Sequence, residues 1–179
     1  LAGLAIGFAV QIGYASALVA GEVIANAMGL GFANMVDPAE GVSTPAVGQF
    51  LSILATFLFL ASGGHLALAA TVVESYRALP PGNAWLAWDS LRGMAYFGST
   101  LFAAGLSIAL PVTFGVVLMQ LVMATLARSA PQLNLFAVGL PAALIAGTVL
   151  MAIAIPVIGD GLVRALTLGL EQARAVTIG

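Results

Sequence analysis

Long stretches without a charged residue constrain this chain more than any other feature of its sequence. A helix needs about 20 consecutive apolar residues to cross the hydrocarbon core of a bilayer, so a stretch of that length can supply a span. The stretches are residues 1–36, interrupted only by Glu22, and residues 41–73, 93–127 and 129–159. The sequence therefore predicts an all-α, membrane-associated protein.

Composition excludes several other classes of protein. Of the 179 residues 61% are hydrophobic and 7% are charged, whereas a soluble domain averages about 25% charged residues. The five arginines and seven acidic residues give a net charge of −2, which is too little positive charge to bind a phosphate backbone. The chain has no cysteine and one histidine, which leaves few ligands for a metal. We predict no nucleic-acid partner, no metal and no cofactor.

The apolar blocks do not resemble simple, straight spans. The 35 residues of block 93–127 would form a helix of about 50 Å, but the hydrocarbon core is about 30 Å thick. Pro111 interrupts this block, Pro141 and Pro156 interrupt the next, and an interior proline removes a backbone hydrogen bond. We therefore predict bent helical hairpins packed in an assembly.

Arginines near the blocks predict the orientation. The connectors between blocks are Asp37–Pro45, Glu74–Arg92 and Arg128–Asn134, followed by the tail from Asp160. The second connector and the tail carry two arginines each, whereas the first carries none and the third one. By the positive-inside rule, Glu74–Arg92 and the C-terminus lie in the cytoplasm.

The first block carries a ridge of small residues at a spacing of four. Small residues let apolar helices approach closely, so the ridge predicts a helix-packing surface; chance in a chain rich in alanine and glycine is the alternative. A spacing of four drifts around the helix, so only three or four of these residues face any one neighbour. The ridge comprises Ala5, Ala9, Gly13, Ala17, Gly21, Ala25, Gly29 and Ala33. We predict subunit packing through Gly21, Glu22, Ala25, Asn26 and Gly29.

Glu22 is the only ionisable residue among residues 1–36, and Asn26 follows it by one helical turn. A carboxylate in an apolar segment is costly and suggests a function. Three roles remain open for it: a proton or cation relay with His65, a hydrogen bond to a neighbouring helix or subunit, and a solvated position.

The tail predicts an amphipathic C-terminal helix over residues 160–176. One face carries polar residues at helical spacing and the other carries apolar residues. The polar residues are Asp160, Arg164, Thr167, Glu171 and Arg174, and the apolar residues are Leu162, Val163, Leu166, Leu170 and Ala173. The helical period does not show whether this helix has a partner.

Two other functions can be weighed from the residues. Ser62 or Ser99 with His65 could serve an intramembrane hydrolase, but the sequence has no GxSxG motif and no evident orienting group. A secondary transporter would share the broken helices and would also show an internal repeat. We predict no catalytic residue.

Several ordered motifs resemble the FliR family of flagellar biosynthesis proteins and its type III secretion counterparts, SctT. The similarity runs from about Ala5 to Ala154. The matching residues are Gly21-Glu22, Met28-Gly29-Leu30, Phe32-Ala33, Val36-Asp37-Pro38, Leu58-Phe59-Leu60, Gly64-His65-Leu66, Glu74-Ser75, Leu79-Pro80, Ala109-Leu110-Pro111-Val112, Ala130-Pro131-Gln132-Leu133-Asn134, Phe136, Gly139 and Pro141.

The resemblance implies a single FliR-like export-gate domain over residues 1–179, without the family's N-terminal hairpin. It also implies partners resembling FliP and FliQ, and an FlhB-like subunit. The location would be the flagellar basal body in the bacterial inner membrane, and the cargo would be unfolded proteins.

In the family, the loop after the first matched block resembles a plug in the closed channel. Here it covers Met35, Val36, Asp37, Pro38, Ala39, Glu40, Gly41, Val42, Ser43, Thr44, Pro45, Ala46 and Val47. Proline restrains the residue before it, so Pro38 and Pro45 predict a constrained loop. An ordinary hairpin loop is the alternative.

Overall fold

The computed structural model describes residues 2–31, 46–78, 88–129 and 135–178, and no residue in these ranges lies in a strand. The described residues form five helices: α1 Ala2–Ala27, α2 Ala46–Ala61, α3 Gly64–Ala78, α4 Trp88–Ser129 and α5 Leu135–Ile178. The prediction of an all-α protein is confirmed. The ends of α3, α4 and α5 also agree with the predicted second and third connectors.

Three helices, α1, α4 and α5, are long and apolar enough to cross a membrane. The pair α2 and α3 is bent by 68° and would provide a fourth crossing if it acts as one span. Helices α4 and α5 contain 42 and 44 residues, or about 63 and 66 Å at 1.5 Å per residue. Each is about twice as long as the hydrocarbon core is thick.

Helix α1 lies at the centre and packs against α2, α4 and α5. Its ridge of small residues is buried from Ala5 to Ala25. The ridge has two neighbours, as the drift of a four-residue spacing requires. A Cβ on Gly13 would lie 2.7 Å from the carbonyl oxygen of Ala165 on α5, and a Cβ on Gly21 would lie 2.6 Å from the backbone nitrogen of Gly48 on α2. The absence of side chains therefore lets the backbones of α1 cross α5 and α2 closely.

The three interior prolines do not interrupt the helices. Pro111 lies inside α4, and Pro141 and Pro156 lie inside α5. All three are exposed, whereas the nearby residues Val112 and Ile158 are completely buried. The helix continues because its opposite face is packed in the core, and that packing outweighs the lost hydrogen bond.

The break in the second block occurs at Gly63, which has a φ of +72°. Glycine adopts this left-handed conformation without a steric cost and commonly ends a helix. The expectation that Gly63 and Gly64 loosen the helix is confirmed. A hydrogen bond for His65 was also expected, but its side chain is exposed and bonds to no other residue in the described ranges.

The two connectors with the most arginine lie at the same end of the bundle. Ala5 of α1, Met94 of α4 and Val176 of α5 form one buried cluster there. At the same end Arg174 Nε of α5 donates a hydrogen bond of 3.4 Å to Thr71 Oγ1 of α3. The segment after α3 and the end of α5 therefore share one side, as the predicted orientation requires.

Candidate assembly site

The outward face of α1 carries the polar pair singled out in the sequence. Glu22 and Asn26 are exposed, while Gly21 and Ala25 on the adjoining face are buried against the same chain. Among the described residues, none forms a hydrogen bond or an ion pair with the Glu22 carboxylate. Subunit packing at this position therefore depends on Glu22 and Asn26, because Gly21 and Ala25 are already covered by α2 and the core.

Helices α2 and α4 border this outward face on its two sides. On the α2 side, Tyr14 donates a hydrogen bond of 2.7 Å from its hydroxyl to the carbonyl oxygen of Ser52 and also contacts the hydroxyl of Thr56. On the α4 side, a Cβ on Gly105 would lie 2.8 Å from Cγ1 of Val19. The exposed face of α1 is therefore a strip between two neighbouring helices, with Glu22 near its centre.

The C-terminal end of α1 has a Schellman motif built around Gly29. The amide of Gly29 donates to the carbonyl of Asn26 at 3.0 Å, and the amide of Leu30 donates to the carbonyl of Ala25 at 2.9 Å. Gly29 has a φ of +82°, the left-handed conformation that this cap requires. Gly29 therefore determines the direction in which the chain leaves α1.

Two further contacts hold this end of α1 in place. Met28 is buried, and a Cβ on Gly147 of α5 would lie 2.8 Å from its sulfur. Gln120 of α4 donates a hydrogen bond of 2.8 Å from Nε2 to the carbonyl oxygen of Ala27. That carbonyl belongs to the last turn of a helix, where backbone acceptors lack intrahelical partners.

Most of the predicted plug loop, Met35–Pro45, lies outside the described residues. Its last two residues are described and form the first turn of α2. Ala46 is exposed, but Val47 is buried in the core of the chain. The helix thus begins earlier than predicted, and Val47 fixes the start of α2.

Residues 160–176 form the last part of α5 and not a separate helix. The five polar residues of the predicted polar face are exposed, and Leu162, Leu166, Leu170 and Ala173 are buried, with Val163 half-buried. Ala9 of α1 lies on the buried side, since a Cβ on Gly169 would be 2.9 Å from its carbonyl oxygen.

We expect this region to be protected from solvent exchange in the assembled complex. Amides of residues 160–176 should exchange about 100-fold more slowly than those of an unstructured chain, because buried helical contacts must open first. Hydrogen–deuterium exchange with mass spectrometry would measure this. Exchange at coil rates throughout 160–176 would show that the helix is not stably formed.

The serines considered for hydrolysis bond to their own helices. Ser62 Oγ donates to the carbonyl of Phe59 at 3.1 Å, and Ser99 Oγ donates to the carbonyl of Tyr96 at 2.7 Å. These are ordinary backbone contacts of a serine in a helix. The geometry does not favour a nucleophile at either position.

Sequence reasoning missed Gln120 and Tyr14. Gln120 is the only amide side chain within the uncharged block 93–127, so the argument that singled out Glu22 would also have found it. Tyr14 has an apolar ring with one polar tip and usually finds a hydrogen-bond partner when buried. Its partner on α2 could not be deduced from the sequence of α1.

Comparison with known proteins gives one family match and several similar proteins. The family model described as "Bacterial export proteins, family 1" matches residues 1–168. The flagellar biosynthetic protein FliR of Escherichia coli K12 is 38% identical over 88% of this chain and 60% of its own length. The FliR protein of Bacillus subtilis 168 is 30% identical over 88% of this chain and 62% of its own length.

A secretion protein with a different name is also similar. The surface presentation of antigens protein SpaR of Salmonella typhimurium LT2 is 29% identical over 80% of this chain and 54% of its own length. The chain thus spans about 60% of the length of the FliR proteins it matches.

Proposed function

The chain belongs to the bacterial export proteins, family 1, and from this membership we propose that it is a subunit of the export gate of the flagellar or type III secretion apparatus. The observation that carries the proposal is the family match, which extends over residues 1–168. Its partners are FliP-like and FliQ-like subunits and an FlhB-like subunit. It acts in the bacterial inner membrane, at the flagellar basal body, and its cargo is unfolded protein.

The outer surface of the bundle supports an assembled state. Large apolar side chains are exposed along α2 to α5, among them Phe57, Phe102, Phe114 and Ile153, each at least 64% exposed. A surface of this kind is covered by lipid or by another protein. Helices of 63 to 66 Å extend beyond the hydrocarbon core, so protein must cover part of them.

The task of such a gate is to hold a channel closed and to open it for one extended chain. We propose that Met35–Val47 is the closing segment. The first support is its position between two anchored points, the Schellman end of α1 at Gly29 and the buried Val47 of α2. The second is its apolar borders at Met28 and Met35, since methionine packs against changing surfaces. A channel can also be closed by the exclusion of water from an apolar constriction.

Glu22 acts in assembly and not in proton transfer. Its exposed carboxylate has no partner elsewhere in the described part of the chain, and it lies on the one face of α1 that α2, α4 and α5 leave open. A polar group in an apolar segment is stabilised by a hydrogen bond from a neighbouring helix. We place that donor on a neighbouring subunit.

Substitutions at Glu22 test both the assembly and this role. The tagged chain should recover FliP-like and FliQ-like proteins from detergent-solubilised membranes. Glu22→Gln keeps the size and hydrogen-bonding capacity and should recover near-normal amounts, whereas Glu22→Leu should recover about tenfold less, since its partner would be left unpaired. Protein blotting of the recovered subunits measures this.

The outcomes separate the alternatives. If the wild-type chain recovers neither partner, the proposed function fails. If Glu22→Gln assembles fully but stops export, a titrating role is the better account of Glu22.

A further inference from the structure

A groove runs along the seam between α4 and α5, with α1 at its floor. Two adjoining cavities share Ala104 and Ser107 of α4 and Ala165 and Leu168 of α5. Along α4 the lining extends from Phe97 to Ile108, about 16 Å or three helical turns. The groove is therefore long enough for three turns of a second helix.

Asp160 and Arg164 lie on the same wall of this groove, one helical turn apart. Both are exposed, and neither takes part in an ion pair within the described ranges. An aspartate and an arginine four residues apart on a helix can pair with each other, but in this structure they do not. Two charges of opposite sign are thus open to another molecule.

The rest of the groove is apolar at this level. Ala165, next to Arg164, packs on Gly13 of α1, and α1 has no charge from residue 1 to 21. The facing part of α4 belongs to the uncharged block 93–127. Lipid covering the groove would leave both charges in hydrocarbon, which is unfavourable. A lipid phosphate could pair with Arg164 but would repel Asp160.

We propose that this groove binds a helix from another subunit of the export apparatus, with a basic residue opposite Asp160 and an acidic residue one turn away opposite Arg164. A helix satisfies its own backbone hydrogen bonds, as an apolar environment requires. The small residues Ala104, Gly161 and Ala165 let its backbone approach. The inference rests on the proposed function, since it needs an apparatus that supplies the helix.

Charge reversals distinguish a partner helix from a pair within α5. Asp160→Arg and Arg164→Asp should each reduce the recovered partner subunits at least tenfold, because like charges then face each other across the groove. The double variant Asp160→Arg/Arg164→Asp keeps the net charge and the possible internal pair. It should assemble no better than either single variant, since both residues now repel the partner. Glu171→Arg, an exposed reversal outside the groove, should leave recovery unchanged.

Two results would overturn the proposal. Full recovery in the double variant would show that Asp160 and Arg164 serve each other. Normal recovery in both single variants would show that no charged partner is present. In either case, a wild-type chain that still recovers its partners would leave the proposed function standing.

Cross-linking tests the occupant without altering the charges. The chain contains no cysteine, so Ser107→Cys introduces a unique thiol in the groove wall. A photoreactive maleimide placed there should cross-link to another subunit in the assembled complex. Adducts to lipid alone, or none in a complex that has formed, would contradict the proposal.

Discussion

Replacing Gly21 by alanine is expected to destabilise the protein, although alanine normally favours a helix. The added Cβ would lie 2.6 Å from the backbone nitrogen and within contact of the Cα of Gly48, and 3.0 Å from the carbonyl carbon of Val47. These are backbone atoms of α2, which cannot rotate away as a side chain can. Helix α2 must therefore move away from α1, which weakens the hydrogen bond from Tyr14 to Ser52.

The expected size follows from two opposing effects. Overpacking a close contact costs about 1–3 kcal/mol, while a glycine-to-alanine change inside a helix contributes about 0.5–1 kcal/mol in the other direction. We expect a net loss of about 1–2 kcal/mol from these two effects. The loss would appear as a lower midpoint of thermal unfolding in detergent, followed by circular dichroism.

Gly7→Ala on the same helix is the matched control. Gly7 is exposed, and a Cβ there would have no atom within 4 Å. Only the helix preference remains, so this variant should be slightly more stable than the wild type. A higher midpoint for both variants would show that α1 and α2 do not cross closely at Gly21.

Deleting Ala39–Ser43 is expected to leave assembly intact and to open a leak. The deletion leaves nine residues between Gly31 and Ala46, which can span about 30 Å. Gly21 touches Gly48, so the ends to be joined are separated by about ten helical residues, or roughly 15 Å. The helices therefore need not move to accommodate the shorter connection.

The leak follows from the closing role proposed for this segment. Resting cells should admit ions or small molecules that the wild type excludes, while export of substrate is little reduced because opening already requires this segment to move. Dye uptake by resting cells measures the leak. An ordinary hairpin loop predicts uptake equal to that of the wild type, with the same amount of assembled complex in both.

The first block shows what the sequence can and cannot predict. The spacing of small residues predicted a packed face, and residues Ala5 to Ala25 of that face are buried. Which helix covers each residue depends on contacts across more than 100 positions, such as Gly13 with Ala165. No local pattern in α1 identifies these partners.

The prolines and the groove show the same limit. A proline predicts a local loss of hydrogen bonding, but whether the helix continues depends on packing of the opposite face, as at Val112 beside Pro111. Asp160 and Arg164 were predicted on a polar face, but the groove beside them exists only because α4 and α5 pack side by side. Glu22 could be singled out from the sequence, since one charge in a long apolar segment needs no tertiary information.

The account's central claim is that this chain helps to close a channel, and the closed-state conductance of the assembled complex tests it most directly. The complex with its FliP-like and FliQ-like partners would be reconstituted in a planar bilayer without substrate, with and without Ala39–Ser43. We predict that the wild-type complex conducts no measurable current and that the deletion variant conducts steadily. Equal closed-state conductance in the two complexes would contradict the claim.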